Sequence, residues 1–391
     1  MNKRSNGWAA LGIVLAAFSM RASMNAVGPL LSVIQEDLGL SASVAGLLTT
    51  IPLLIFAAVS PLAGTLAARF RLPDVMLVSL GLIVAGSLAR SYLGTAGLYL
   101  GTAALGIGIG ALNVMQPVVI QAGFPQKVGV VTSVYTVSMI LFSALGSGLS
   151  VPLAQALGGW RNALAVWALL PLLALPVWFL LRSRGAFPRG GGRETRKAAG
   201  SVWKNTRFLM IALFMGLQSL LFFCIITWLP SIVSLKTGDT RLGGTLLLFQ
   251  QMVSLVTGFL VPLLTQRPAS RTPIAVASGG LYCAGLAALL FAPSAPMLIL
   301  ACTLLGLASG VSLSYALSLI GMSGSTAEET ARLSGLAQMV GYALAAAGPV
   351  LLGAVYDAGG AWTLPILILA ASSVVMLFVG IRAGRRETQE A

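Results

Sequence analysis

Runs of 18 or more predominantly apolar residues recur from one end of this chain to the other. Each can cross a hydrocarbon core of roughly 30 Å as a helix, a form that satisfies its own backbone polar groups in lipid. The composition agrees. Of the 391 residues, 57% are hydrophobic and 9% charged, against roughly a quarter charged in a soluble domain. Gly, Pro and charged residues punctuate the runs and predict twelve spans, near residues 8–34, 43–68, 74–93, 97–121, 129–155, 161–182, 207–234, 242–266, 272–292, 296–321, 331–355 and 362–382. The expected fold class is therefore an all-α membrane protein with twelve transmembrane helices, and no soluble domain of useful size is left over.

The one long polar connection, Arg182 to Asn205, contains Arg-Gly-Ala-Phe-Pro-Arg-Gly-Gly-Gly-Arg and is too polar and glycine-rich to span. It predicts an N-terminal six-helix bundle over 1–182, a basic cytoplasmic linker over 183–206 and a C-terminal six-helix bundle over 207–391. Lys3 and Arg4 precede the first span, so an even number of spans returns Arg382, Arg385 and Arg386 to the same side. With both termini cytoplasmic, 19 of the 24 Lys and Arg residues face the cytoplasm, as the positive-inside rule requires of a bacterial inner-membrane protein. Only Arg90, Arg161, Lys236 and Arg241 then lie outside, and Arg21 lies within the bilayer. Trp8, Trp160, Trp178, Trp203, Trp228 and Trp362 fall near predicted helix ends, where an amphipathic ring favours the interface; Trp167 is the exception. The first run carries an arginine at its centre and lacks an A-x-A-like cleavage site, so it reads as a retained helix, not a signal peptide.

The formal net charge of +14 would suit nucleic acid only if it were gathered on one surface, and here it sits at helix ends. Cys224, Cys283 and Cys302 lie in three separate apolar runs and offer neither a disulfide framework nor metal spacing. Histidine is absent, which removes the commonest metal ligand and general base at neutral pH. The chain is expected to be no enzyme and to need no metal and no cofactor.

The two halves echo each other, the trace expected of a carrier built from parallel repeats. Gly106 and Gly110 of helix four correspond to Gly306 and Gly310 of helix ten at an offset of 200 residues. Gly146, Gly158 and Trp160 around helix five correspond to Gly348, Gly360 and Trp362 around helix eleven at an offset of 202.

Arg21 is the first candidate functional residue. It lies thirteen residues from both Trp8 and Ile34, roughly 20 Å from either end of its helix, too deep to snorkel. A charge at that depth costs about 2.5–3.5 kcal/mol even on a lenient scale and faces a bundle interior or a wet cavity. All ten acidic residues lie in loops or at helix ends, so no carboxylate is at hand. An unpaired guanidinium in a cavity is an anion site; the alternative is a guanidinium satisfied by carbonyls that locks helix packing. Asn25, one turn on, shares its face.

The other mid-membrane polar candidates for substrate contact are Asn113, Gln116, Tyr135, Gln218, Gln250, Gln251, Tyr315, Gln338 and Tyr342. Asn113 with Gln116, and Gln338 with Tyr342, share helix faces. Taken singly, each such side chain is more often interhelical glue than a ligand contact. One cation among neutral donors suits a small anion or a small planar polar solute. The lack of an intramembrane acid or histidine disfavours proton coupling through a buried side chain. Glycines Gly106, Gly108, Gly110, Gly146 and Gly148 let helices pack closely, statically or as a bearing surface.

The twelve-helix plan with its basic central linker resembles the major facilitator superfamily along essentially the whole chain. Gly64-Thr-Leu-Ala-Ala-Arg-Phe-Arg71 is similar to that family's signature between helices two and three, Gly-x-Leu-x-Asp-Arg-x-Gly-Arg. Ala68 stands where the signature has its acid and Arg71 where it has its second glycine. The resemblance implies a gating role for Gly64, Arg69 and Arg71, and the departures put the charge pairing of that gate in question.

Met20-Arg-Ala-Ser-Met-Asn-Ala-Val-Gly-Pro-Leu-Leu31, Leu38-Gly-Leu-Ser41, Gly46-Leu-Leu-Thr-Thr-Ile-Pro52, Gly106-Ile-Gly-Ile-Gly-Ala-Leu-Asn113, Pro117 and Gly159-Trp-Arg161 resemble the branch holding cyanate permeases and 2-nitroimidazole exporters. Its members carry an arginine at the place of Arg21. The resemblance implies transport of a small anion or planar polar compound.

The leading expectation is a secondary carrier, working as a monomer by alternating access on a small, cyanate-like anionic solute. A drug-type exporter of neutral compounds such as nitroimidazoles, with Arg21 structural, is the first rival. A transporter-like sensor or channel is the second, weakened by the missing signalling domain and by the repeat.

Overall fold

The computed structural model describes residues 3–62, 69–187, 205–265, 271–292, 294–322 and 327–384. Gly64, most of the expected linker, Trp203, Arg385 and Arg386 lie outside them. The described chain is helical throughout, in twelve spans. These are α1 (Gly7–Leu38), α2 (Ala42–Leu62), α3 (Leu72–Tyr92), α4 (Gly94–Gly123), α5 (Val130–Ala156), α6 (Trp160–Ser183), α7 (Thr206–Thr237), α8 (Thr240–Thr265), α9 (Arg271–Leu290), α10 (Ala295–Ile320), α11 (Leu333–Gly359) and α12 (Thr363–Gly384). Eleven are long and apolar enough to cross a membrane by themselves, and α8 completes the series.

Two spans are interrupted within their length, and α2 closes in the 3-10 turn Ser60–Leu62. In α1 the α-helix stops at Asn25 and a 3-10 turn, Gly28–Leu30, precedes a second segment, Leu31–Leu38. Pro29 lacks an N–H to continue the ladder. Gly28 lies against the Ile226 carbonyl of α7, where any Cβ would collide. The break brings α1 and α7 into backbone contact. In α6 the interruption is the 3-10 turn Val166–Ala168.

Helix ends follow local chemistry. Ser41 caps α2 through Val44 N at 3.4 Å, and Asn205 caps α7 through Phe208 N at 3.0 Å. Gly39 and Gly238 close helices in the left-handed conformation that costs glycine little.

Packing repeats between the first six and last six spans. α1 packs on α5 as α7 does on α11; α2 on α4 as α8 on α10; α3 on α4 and α6 as α9 on α10 and α12. The paired glycines explain this. A Cβ on Gly106 would lie 3.1 Å from Pro52 Cα of α2, and one on Gly306 would lie 2.5 Å from the Gln250 carbonyl of α8. Gly146 lies against Ala22 of α1 and Gly348 against Cys224 of α7. Gly158 and Gly360 both hold positive φ, at 74° and 65°, and launch the next span with a tryptophan. Equivalent glycines therefore make equivalent helix contacts.

Several interface expectations need correction. Trp160, Trp178 and Trp228 are buried. Their indole nitrogens donate to Asp37 Oδ2, Gly12 O and Pro349 O, each at 3.1 Å, so they join helices instead of marking the lipid surface; among the described tryptophans of the group only Trp8 is exposed. Arg90, counted with the outside loops, sits in the last turn of α3 with 1% of its surface exposed.

Candidate substrate site

Arg21 lies one turn before the break in α1 and is half-buried. No ion pair or hydrogen bond reaches its guanidinium among the described residues. It is neither sealed in by carbonyls nor paired with an acid. Tyr135 of α5 and Tyr342 of α11 stand near enough to feel its charge, which brings one cation and two phenols together from both sets of six helices. Aromatic rings surround them: Tyr342 meets Phe56 of α2 edge-on at 5.4 Å and Phe223 of α7 at 6.4 Å, while Phe18, one turn before Arg21, stacks on Phe142 of α5.

Just beyond this layer, away from the chain termini, the two sets of helices are zipped together. The Asn25 amide donates to Ser143 Oγ, which bonds Gln251 Oε1 of α8, and Gln251 Nε2 donates back to Ser147 Oγ at 3.0 Å. Asn25 and Gln251 thus hold α1, α5 and α8 together. Along α2 and α11, running antiparallel, Thr50 Oγ1 donates to the Ala346 carbonyl at 2.6 Å, a Cβ on Gly46 would lie 2.8 Å from the Pro349 carbonyl, and Asp357 accepts from the amides of Ala42 and Ser43, both at 2.8 Å. The Arg241 guanidinium donates to Gln155 Oε1 across α8 and α5. Thr227 Oγ1 donates to Thr49 Oγ1 at 3.0 Å.

The remaining candidates fall into two groups. Gln116 Nε2 donates to the Ile13 carbonyl at 3.2 Å, joining α4 to α1. Gln218 bonds Met215 and Ser219 within α7. Gln250 bonds Ser309 Oγ of α10 at 3.0 Å, Tyr315 donates to the Gly380 carbonyl at 3.2 Å, and Gln338 bonds Ser334. In each of these five one polar group donates to protein, while Gln116 Oε1 and Gln250 Oε1 are buried without a partner among the described residues. Asn113 Nδ2 is buried and has no partner among the described residues. Arg69 and Arg71 are exposed between α2 and α3.

Sequence reasoning passed over Ser143, Ser147, Phe56 and Phe223. The four-residue spacing of the serines on one face of α5 was the available signal.

The geometry has counterparts among known proteins. The family profile described as Major Facilitator Superfamily matches residues 13–349. An uncharacterized transporter, YycB, of Bacillus subtilis (strain 168) is 39% identical over 97% of this chain and 94% of its own length. The 2-nitroimidazole transporter of Escherichia coli (strain K12) is 35% identical, over 96% and 94%. The cyanate transport protein CynX of the same organism is 25% identical over 64% and 65%. In solved structures, a bacterial homolog to the human lysosomal transporter Spinster, inward-facing and unoccupied, superposes with a TM-score of 0.78 at 13% identity, covering 98% of both chains.

Proposed function

Because this chain belongs to the major facilitator superfamily and is a membrane-embedded secondary transporter of a small molecule, we propose that its cargo is a small planar anion, or a planar polar solute of similar size, anchored by Arg21. The observation that carries the reading is a guanidinium that no acid meets among the described residues, with Tyr135 and Tyr342 of the two sets of helices within reach of its charge. A guanidinium presents donors in a planar fork that matches a carboxylate, and its charge also attracts a smaller anion such as cyanate. The rings of Phe56, Phe223 and Tyr342 offer flat apolar faces to the rest of a planar solute. The names of the nitroimidazole and cyanate relatives describe solutes of this kind.

The two sets of six helices, 1–182 and 207–391, are the bodies that rock about this site, joined by the basic segment 183–206. With both termini cytoplasmic in the bacterial inner membrane, the zipped ends of α2 with α11 and α5 with α8 form the outer gate, so the site opens to the cytoplasm. Asn25 and Gln251 serve that gate, Arg69 and Arg71 the inner one, and the protein works as a monomer.

The test is thermal stabilisation of purified protein by a panel of small anions, since a ligand of the folded state raises its stability. Benzoate-like anions or cyanate should stabilise wild type and leave Arg21→Ala unmoved. Equal stabilisation of both by neutral nitroimidazoles would favour an exporter in which Arg21 is structural.

A further inference from the structure

A second arginine poses the same problem in a different place. Arg90 is 1% exposed, and its Nε and Nη2 have no hydrogen-bond partner. It stands on the face of α3 that packs against α4, held so closely that Gly101 of α4 has no room for a Cβ beside the Arg90 backbone. Neither of the acids that bridge helices at this end of the molecule is free for it. Asp37 is engaged by Arg161 at 2.9 Å and by Trp160, and Asp357 by the amides of α2. The carbonyl end of α3 offsets part of the charge through its dipole, but Arg90 makes no hydrogen bond to it.

Other buried donors without partners are carried by α3 itself and by elements that pack against it. Ser87, one turn before Arg90 on the same face of α3, is fully buried with its hydroxyl unbonded. An arginine side chain on a helix leans toward the preceding turn, and so toward Ser87. α3 packs against the 3-10 turn of α6 that carries Trp167, and α1, which carries Ser23, packs against both. The Trp167 indole N–H and the Ser23 hydroxyl are likewise buried and unbonded. The end of α3 is tied to α6 by Tyr92, which donates to Asn162 Oδ1 at 2.8 Å. A guanidinium and an indole can only donate, and both serine hydroxyls can do so. Water would supply acceptor lone pairs but leave the charge uncompensated.

We propose that Arg90, with Ser87, Trp167 and Ser23, holds a small inorganic anion of halide size inside the first six helices, apart from the transport site at Arg21. This anion is a resident counter-ion that lets a permanent charge stay buried where the bundle offers no acid.

The experiment is thermal unfolding of the purified full-length protein at constant ionic strength, with gluconate replaced stepwise by bromide. Wild type and Arg21→Ala should both gain about 2–5 °C in a saturable manner, and Arg90→Met should gain nothing. Anomalous diffraction from wild-type crystals grown in bromide should place a peak within hydrogen-bond distance of Arg90, a readout that survives if Arg90→Met does not fold. Absence of a bromide effect in wild type, its persistence in Arg90→Met, its loss in Arg21→Ala, or a map with only water beside Arg90 would each overturn the proposal.

Discussion

A guanidinium stays charged at every pH a cell reaches, so Arg21 is a fixed positive point in the middle of the molecule, and its neighbours decide what it does. Tyr135 and Tyr342 supply hydroxyls from opposite sides of the interface. Each bond they lend a bound anion is charge-assisted and worth about 1.5–3 kcal/mol, so Tyr135→Phe and Tyr342→Phe should each weaken binding roughly 10–150-fold while leaving the unfolding temperature of the empty protein near wild type. Titration calorimetry with the stabilising anion checks this. Gln250→Ala should behave oppositely, lowering stability through its lost bonds to α10 without altering which anion binds. The depth and isolation of Arg21 were legible from residue spacing alone. Spacing could not reveal whether a given polar residue is already engaged by protein: Gln218 and Tyr315 look like Tyr342 in the sequence, and only packing shows that the Gln218 amide nitrogen and the Tyr315 hydroxyl are bonded elsewhere. Arg90 escaped for a related reason, since counting spans placed it beyond the membrane when the helix end in fact folds it inward.

At the scale of elements, the α2–α11 zipper closes with the Asp357 carboxylate on the amino end of α2, where the helix dipole favours an anion. Asp357→Ala removes two charge-assisted bonds between the two sets of helices. Spin labels at the far ends of α2 and α11 should show a longer-distance population that wild type lacks, and unchanged distances would mean that the carboxylate does not hold this gate. Gly46 and Gly353 let the same helices touch backbone to backbone. Gly46→Val should therefore open the zipper in the same assay and lower thermal stability. The helices themselves, their order and the glycine repeat were readable in the sequence because hydropathy and small-residue spacing are local signals. The partners across the zipper were not. Thr50 with Ala346, or Ser143 with Gln251, are joined by a fold that brings residues more than a hundred positions apart together, and no local pattern encodes such a pairing.

The whole molecule is a pair of six-helix sets with equivalent internal contacts, meeting along α2 with α11 and α5 with α8. Two bodies of like construction that share one charged site at their junction form a natural rocking carrier, in which closing one end opens the other. The departure at Arg71 from the superfamily's usual signature lies at the opposite end from the zipper, while the bonds between the two sets described here run from the Arg21 layer to the far end. A disulfide engineered between the far ends of α2 and α11 should then abolish turnover while leaving anion binding intact, and reduction should restore transport. The most direct measurement is flux: proteoliposomes carrying wild type or Arg21→Gln, assayed for exchange of a labelled small planar anion. Wild type should exchange it, and Arg21→Gln should fall by about 10–100-fold, the loss of one charged anchor. Exchange by Arg21→Gln at the wild-type rate would contradict the anchoring role and with it the account of what this protein carries.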